Sequence, residues 1–238
     1  MKFNYKLQRL CGAYYGHPAT NSAIAQHGNG ANLVYTSSGN TLLSVVSNRI
    51  QVVDLQTHTV RTLPLEARSN IRCLALSPDD ALLLVVDVQN YAMLVNFQRG
   101  IVLHRLRFKR KVRQALFSPD GRYIAVTHGK HVQVWHAPNH FRKEFAPLVL
   151  HRTYTGQSDD ISSIHFSADS SVLAAGSRDS TARIWTLQTT QNYQPVTLSA
   201  HKSALVGAYF SGNEQIESCY TISAVSYTHL TLPTTILV

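Results

Sequence analysis

The chain has 238 residues, and 22 lysines and arginines against 13 acidic residues give it a formal charge of +9. An apolar content of 44% excludes an intrinsically disordered chain, and a charged content of 15% argues against a coiled coil or a charged helical rod. The basic balance suits an anionic partner, nucleic acid above all.

From the N-terminus, Met1-Lys2-Phe3-Asn4-Tyr5-Lys6 is basic with no apolar stretch behind it, so no secretory signal is expected. Cys11, Cys73 and Cys219 are far apart and form no CxxC pair, which excludes a disulfide framework or zinc-finger spacing and points to a reducing compartment. The longest apolar runs, such as Ala81 to Val86, fall far short of the roughly 20 residues of a membrane span. The length suits one large all-β domain or two small domains.

A repeat organises the rest. Thr36, Ser77, Ser118, Ser167 and Ser211 each follow an apolar residue, at spacings of 41, 41, 49 and 44. One, three and six positions before these anchors stand Leu76, Leu74 and Ile71; Phe117, Ala115 and Val112; Phe166, Ile164 and Ile161; and Phe210, Ala208 and Leu205. The first unit, with Tyr35, Leu33 and Gly30, is weaker. Each unit therefore predicts a strand ending at the anchor, then a turn such as Ser77-Pro78-Asp79-Asp80 or Ser118-Pro119-Asp120-Gly121. A continuously apolar strand follows, as at Leu82 to Val86, and then a strand ending near Val53, Val95, Trp135 or Trp185. A fourth strand of variable length closes the unit. No stretch has sustained helical periodicity.

A period of about 40–45 residues with four strands per unit is the pattern of a WD40-type β-propeller. The segment Ala174-Ala175-Gly176-Ser177-Arg178-Asp179 through Trp185 resembles the strand–turn–strand core of such a repeat. In that family a His, a Ser/Thr, an Asp and a Trp form a buried hydrogen-bonded set. Asp179 and Trp185 match it, whereas Ala175 and Gln157 occupy the other two places. The expected fold is all-β, an incomplete propeller of four blades and part of a fifth. The repeat stops after Ser223, where the chain runs through Ala224-Val225-Ser226-Tyr227 into a stretch without acidic residues. Residues 1–223 are thus expected to be the N-terminal part of a first propeller, and 224–238 a non-native tail.

The resemblance goes further. Met1-Lys2-Phe3 with Tyr5, Leu10 and Gly12, the segment Ser47-Asn48-Arg49-Ile50-Gln51-Val52-Val53-Asp54-Leu55, and Asn70-Ile71-Arg72-Cys73-Leu74-Ala75-Leu76 are similar to the periodic tryptophan protein 2 family. So is the linker from Trp135 and Ala137-Pro138 through Phe145-Ala146-Pro147 to Leu150-His151-Arg152-Thr153-Tyr154-Thr155-Gly156, which WD repeats in general do not share. The resemblance implies a nucleolar subunit of the small-subunit processome. Such a protein is a non-catalytic scaffold that works with other WD-repeat subunits and a small nucleolar ribonucleoprotein on the 18S rRNA precursor.

The densest basic run is Arg105-Leu106-Arg107-Phe108-Lys109-Arg110-Lys111-Val112-Arg113. Alternation of Leu106 and Phe108 with Arg105, Arg107 and Lys109 predicts an outer strand of the second blade with its cations on one face. Three readings stand: a solvated edge that prevents edge-to-edge pairing, a phosphate contact to pre-rRNA or small nucleolar RNA that positions without reading sequence, or a contact to an acidic protein. Trp135 and Trp185 are expected as core residues. His128, His131, His136 and His140 have no Cys nearby and no metal-ligand spacing, so loop histidines are expected and no metal. Asp159-Asp160 is expected in a solvated loop, and Gly28-Asn29-Gly30 in a turn. No phosphate-binding loop, nucleophile elbow or zincin motif is present, so neither an enzyme nor a cofactor is expected.

Overall fold

The computed structural model describes residues 33–138, 148–188, 194–211, 218–224 and, as backbone alone, 230–232. They form consecutive antiparallel sheets, each built from one repeat unit. The first has β1 (Leu33–Tyr35), β2 (Thr41–Val46), β3 (Arg49–Asp54) and β4 (Val60–Thr62). The second has β5 (Ile71–Leu76), β6 (Leu82–Asp87), β7 (Tyr91–Asn96) and β8 (Ile101–Arg107). The third has β9 (Ala115–Phe117), β10 (Tyr123–His128), β11 (His131–His136) and β12 (Val149–Tyr154). The fourth has β13 (Ile161–Phe166), β14 (Val172–Ser177), β15 (Ala182–Thr186) and β16 (Val196–Leu198). A fifth contains β17 (Leu205–Phe210), β18 (Cys219–Ser223) and β19 (Leu230–Leu232). Strands neighbour in chain order within every sheet. The expectation of all-β WD40 blades is borne out, and Gly28-Asn29-Gly30, Cys11 and His140 lie outside the described residues.

The anchor serines give three of the units the same turn. Each of β5, β9, β13 and β17 ends one residue before its anchor. The Leu82 amide donates to Ser77 Oγ at 2.8 Å, that of Tyr123 to Ser118 Oγ at 2.9 Å and that of Val172 to Ser167 Oγ at 3.0 Å. The same hydroxyls donate to Asp79, Asp120 and Asp169, whose carboxylates take further amides from Ala81, Arg122 and Ser171. The residue that completes each turn has positive φ: 54° at Asp80, 70° at Gly121 and 62° at Ser170. A short polar side chain or glycine tolerates that conformation best.

The second strand of each of the first four units is buried on both faces because it serves two seams. Leu83 and Val85 pack toward the first sheet, with Leu43, Val45, Ile50 and Val52. Leu84 and Val86 pack toward the third, with Ala115, Ile124 and Val126. The third and fourth sheets share Val132, Val134, Ile164 and Leu173, and the fourth and fifth share Ala174, Ile184, Leu205 and Ala208. The period of two thus sends alternate residues of one strand into opposite seams. Outer strands differ: β4 is exposed at all three residues and β8 at most of its seven. Among the described residues no helix is long and apolar enough to cross a membrane.

Candidate interaction surface

β8 is the terminal strand of the second sheet, where the sequence places it. It pairs with β7 through Tyr91 with Arg107, Ala92 with Leu106, Met93 with Arg105 and Leu94 with His104, then slips at Leu103 so that Val95 meets Val102. A bulge of this kind inserts one extra residue and resets which face the following side chains take. As a result Arg105 and Arg107 share the face of Met93 and Tyr91, which looks toward the first sheet. Leu106 turns to the opposite seam and packs with Ala92 against the third sheet.

The Arg107 guanidinium lies 4.9 Å from the centre of the Tyr91 ring, and that of Arg68, from the connection after β4, lies 4.7 Å from it. Cation–π contacts of this kind hold a guanidinium in place without neutralising it. These groups border a cleft of about 480 Å³, also lined by Glu66, Met93 and Arg105. Glu66 is ion-paired with Arg49. Among the described residues, Arg68, Arg105 and Arg107 have no carboxylate within ion-pair distance. The cleft is also lined by the buried Asp87, whose Oδ1 takes the Tyr91 amide at 2.8 Å, so its arginines outnumber its carboxylates but are not alone in it.

The basic run does not continue as one face. β8 ends at Arg107, so Lys109 lies beyond the strand and not on its alternation. Phe108 is buried, its amide donates to the Asn90 carbonyl at 2.9 Å, and its ring meets Trp135 edge-on at 6.4 Å. Lys109 and Arg110 are exposed in the connection that follows. Arg113 turns inward, where its Nη2 lies 3.2 Å from Asp160 Oδ2 and its amide donates to Thr127 Oγ1 at 2.8 Å. The half-buried pair removes Arg113 from the outer basic surface and Asp160 from the freely solvated loop that the sequence suggested. Lys111 sits beside Arg113, Arg72 and Arg178. Loss of surrounding water, then repulsion from Arg113 and Arg72, lowers its pKa, while Asp160 opposes the shift.

The structural residues of the fourth blade form a modified network. The Thr181 hydroxyl donates to Asp179 Oδ1 at 2.6 Å and is also 3.1 Å from Gln157 Oε1. Asp179 also takes the Thr181 amide at 3.0 Å and the Ser158 amide at 2.7 Å. Gln157 Nε2 donates to the Ala175 carbonyl at 3.3 Å, bridging the strand that the family's Ser/Thr would occupy. Trp185 is buried against Tyr154, ring centres 5.4 Å apart. Trp135 is half-buried, and its buried Nε1 has no hydrogen-bond partner among the described residues.

Besides Arg113 with Asp160, sequence reasoning missed a pair in the fifth sheet, where His201 Nε2 lies 2.7 Å from Thr221 Oγ1. The signal was present, because His201 stands as far before Ser211 as Gln157 before Ser167. The equivalent places in the second and third units are the buried Ala67 and Phe108.

His128 and His131 pair across the hairpin as strand ends, not as turn residues. Burial, and then repulsion from Arg110, lowers the pKa of His128. His136 packs against His151, ring centres 4.8 Å apart. Among the described residues no group of three or more His, Cys, Asp or Glu could hold a metal ion. Burial pushes the Cys73 thiol up to about 12 and the Cys219 thiol up to about 11, so both stay protonated and unreactive near neutral pH.

Comparison with known proteins agrees with this architecture. The family described as WD domain, G-beta repeat matches residues 148–186, which run from β12 to the end of β15. The chain is 45% identical to the periodic tryptophan protein 2 homolog of Schizosaccharomyces pombe over 193 residues, 81% of this chain and 22% of that protein. It is 34% identical to periodic tryptophan protein 2 of Saccharomyces cerevisiae over 94% of this chain and 23% of the relative. The Arabidopsis thaliana protein of that name is 38% identical over 83% of this chain and 22% of the relative. The chain thus spans less than a quarter of the length of these relatives. The resemblance to the periodic tryptophan protein 2 family is borne out.

Proposed function

We propose that this chain, as a WD-repeat protein similar to the periodic tryptophan protein 2 family, serves as a non-catalytic scaffold in ribosome biogenesis. In this reading residues 1–223 are the N-terminal part of a first propeller. It supports processing of the 18S rRNA precursor and small-subunit assembly in the nucleolus, among other WD-repeat subunits and a small nucleolar ribonucleoprotein. The observation that carries the reading is likeness at 34–45% identity over four fifths or more of the chain. A fold alone would not license it, since propellers serve many functions. The chemistry is compatible: buried thiols, carboxylates engaged in turns, and exposed blade edges suit assembly rather than bond-making.

The test is capture of the tagged full-length protein from nuclear extract, with and without ribonuclease, followed by identification of what remains bound. A scaffold retains WD-repeat proteins of the processome after digestion. Loss of every associated protein on digestion, or capture of none, would contradict the reading.

A further inference from the structure

The outer strand of the second blade combines three features. Among the described residues no strand pairs with its far edge, so alternate N–H and C=O groups of β8 point away from β7 without a strand partner there. Ile101 and Leu103 are 54% and 53% exposed on that strand, although large apolar side chains gain nothing from water there. Arg105 and Arg107 share one face, are exposed, and have no carboxylate partner among the described residues. Arg107 is held against Tyr91 together with Arg68, so two cations converge on one ring, neither of them ion-paired among the described residues.

We infer that β8 is a docking edge for an extended acidic peptide of a partner protein, which adds to the second sheet as a fifth strand. The inference rests on this edge alone and stands whichever process the protein serves. Main-chain hydrogen bonds to the free edge would supply the pairing, and alternate side chains would supply the selectivity. Side chains two apart on an added strand fall on the same face. An Asp or Glu at two such positions therefore meets Arg105 and Arg107, with Arg68 at the back of the cleft. Apolar residues farther along the peptide cover Ile101 and Leu103. Opposite charges across a strand pair are favourable, and like charges are not. The apolar pair and the free main-chain edge favour a peptide over RNA, whose phosphates would use the arginines but leave both other features unsatisfied.

The test uses the full chain and fluorescence anisotropy with labelled synthetic probes. One is a seven-residue peptide of alternating Asp and Val, matched to the seven residues of β8. The second has Asn for Asp. The third is the acidic peptide with alternate amides N-methylated on the edge that would pair, and the fourth is a single-stranded oligouridine. The acidic peptide should bind and weaken with salt, and the Asn peptide should bind roughly tenfold more weakly. The N-methylated peptide should fail. The double substitution Arg105→Glu, Arg107→Glu should abolish binding of the acidic peptide while lowering the thermal unfolding midpoint by no more than a few degrees, since both side chains are exposed and Arg107 gives up only its contact with Tyr91. Equal binding of the N-methylated peptide would overturn strand addition. So would acidic-peptide binding that survives the double substitution, no peptide binding at all, or oligouridine binding that the substitution removes in the absence of peptide binding.

Discussion

The second and fourth blades share a backbone and differ in what fills it. In the second, Ala67 stands ten residues before the anchor serine and the seams are filled by Leu74, Leu83, Leu84 and Leu94, all fully buried. In the fourth, Gln157 takes the equivalent place and joins Thr181 and Asp179, while Ser162, Ser163 and Ser177 are buried with their hydroxyls bonded. The Ser–Asp turn is nearly the same in both, with Ser77 and Asp79 matching Ser167 and Asp169. The repeat therefore fixes the turn and the strand register, and it leaves the interior free to be either oily or hydrogen-bonded. The apolar blade carries its cations outside, on β8, and buries one carboxylate, Asp87, whose Oδ1 takes the Tyr91 amide at 2.8 Å. A polar blade carries hydrogen bonds between its own strands.

Core truncation should break the comparison most visibly. Leu83→Ala in the second blade should cost about 3 kcal/mol in urea unfolding, because the vacated volume in a seam between two sheets cannot collapse fully. A cost below about 1 kcal/mol would mean that the seam is not close-packed.

Asp179→Asn probes the polar blade and should cost about 1–2 kcal/mol near neutral pH. Burial alone would raise the Asp179 pKa. Bonds from the Thr181 hydroxyl, from the Ser158 and Thr181 amides and from Ser177 outweigh it, so the carboxyl titrates below its ordinary value of 3.8. Its stabilising contribution is therefore complete above that value and is lost as the pH falls through the lower native pKa. The wild type and the Asn variant should converge in acid, and a constant gap at every pH would contradict the network.

The smallest and most discriminating effect concerns the shared turn. Ser77→Ala and Ser167→Ala should each cost about 1 kcal/mol, and the two costs should agree within about 0.5 kcal/mol. A large disparity would show that the turn does different work in the two blades.

Much of this was legible in the sequence. The anchors gave the strand ends because Ser, Pro and Asp have a local reason to turn the chain. The uninterrupted apolar run at Leu82 to Val86 gave a strand buried on both faces. What escaped depends on partners distant along the chain. Arg113 belongs to the same basic run as Arg107, yet Asp160 draws it inward across the third and fourth units. The bulge at Leu103 leaves no signature in composition, although it decides which face Arg105 takes. The pair of His201 and Thr221 joins a loop to a strand whose register follows a connection of irregular length, so only the offset from Ser211 could have revealed it.

The central claim is that one repeated backbone supports chemically different blades and presents its outer strands for contact. Native-state amide hydrogen exchange across the whole chain tests it most directly. The amides of β6 and β14 should share the highest protection despite their different interiors, while β8 and β16 exchange much faster. Protection of β14 as low as that of β8, or β8 as slow as β6, would contradict it.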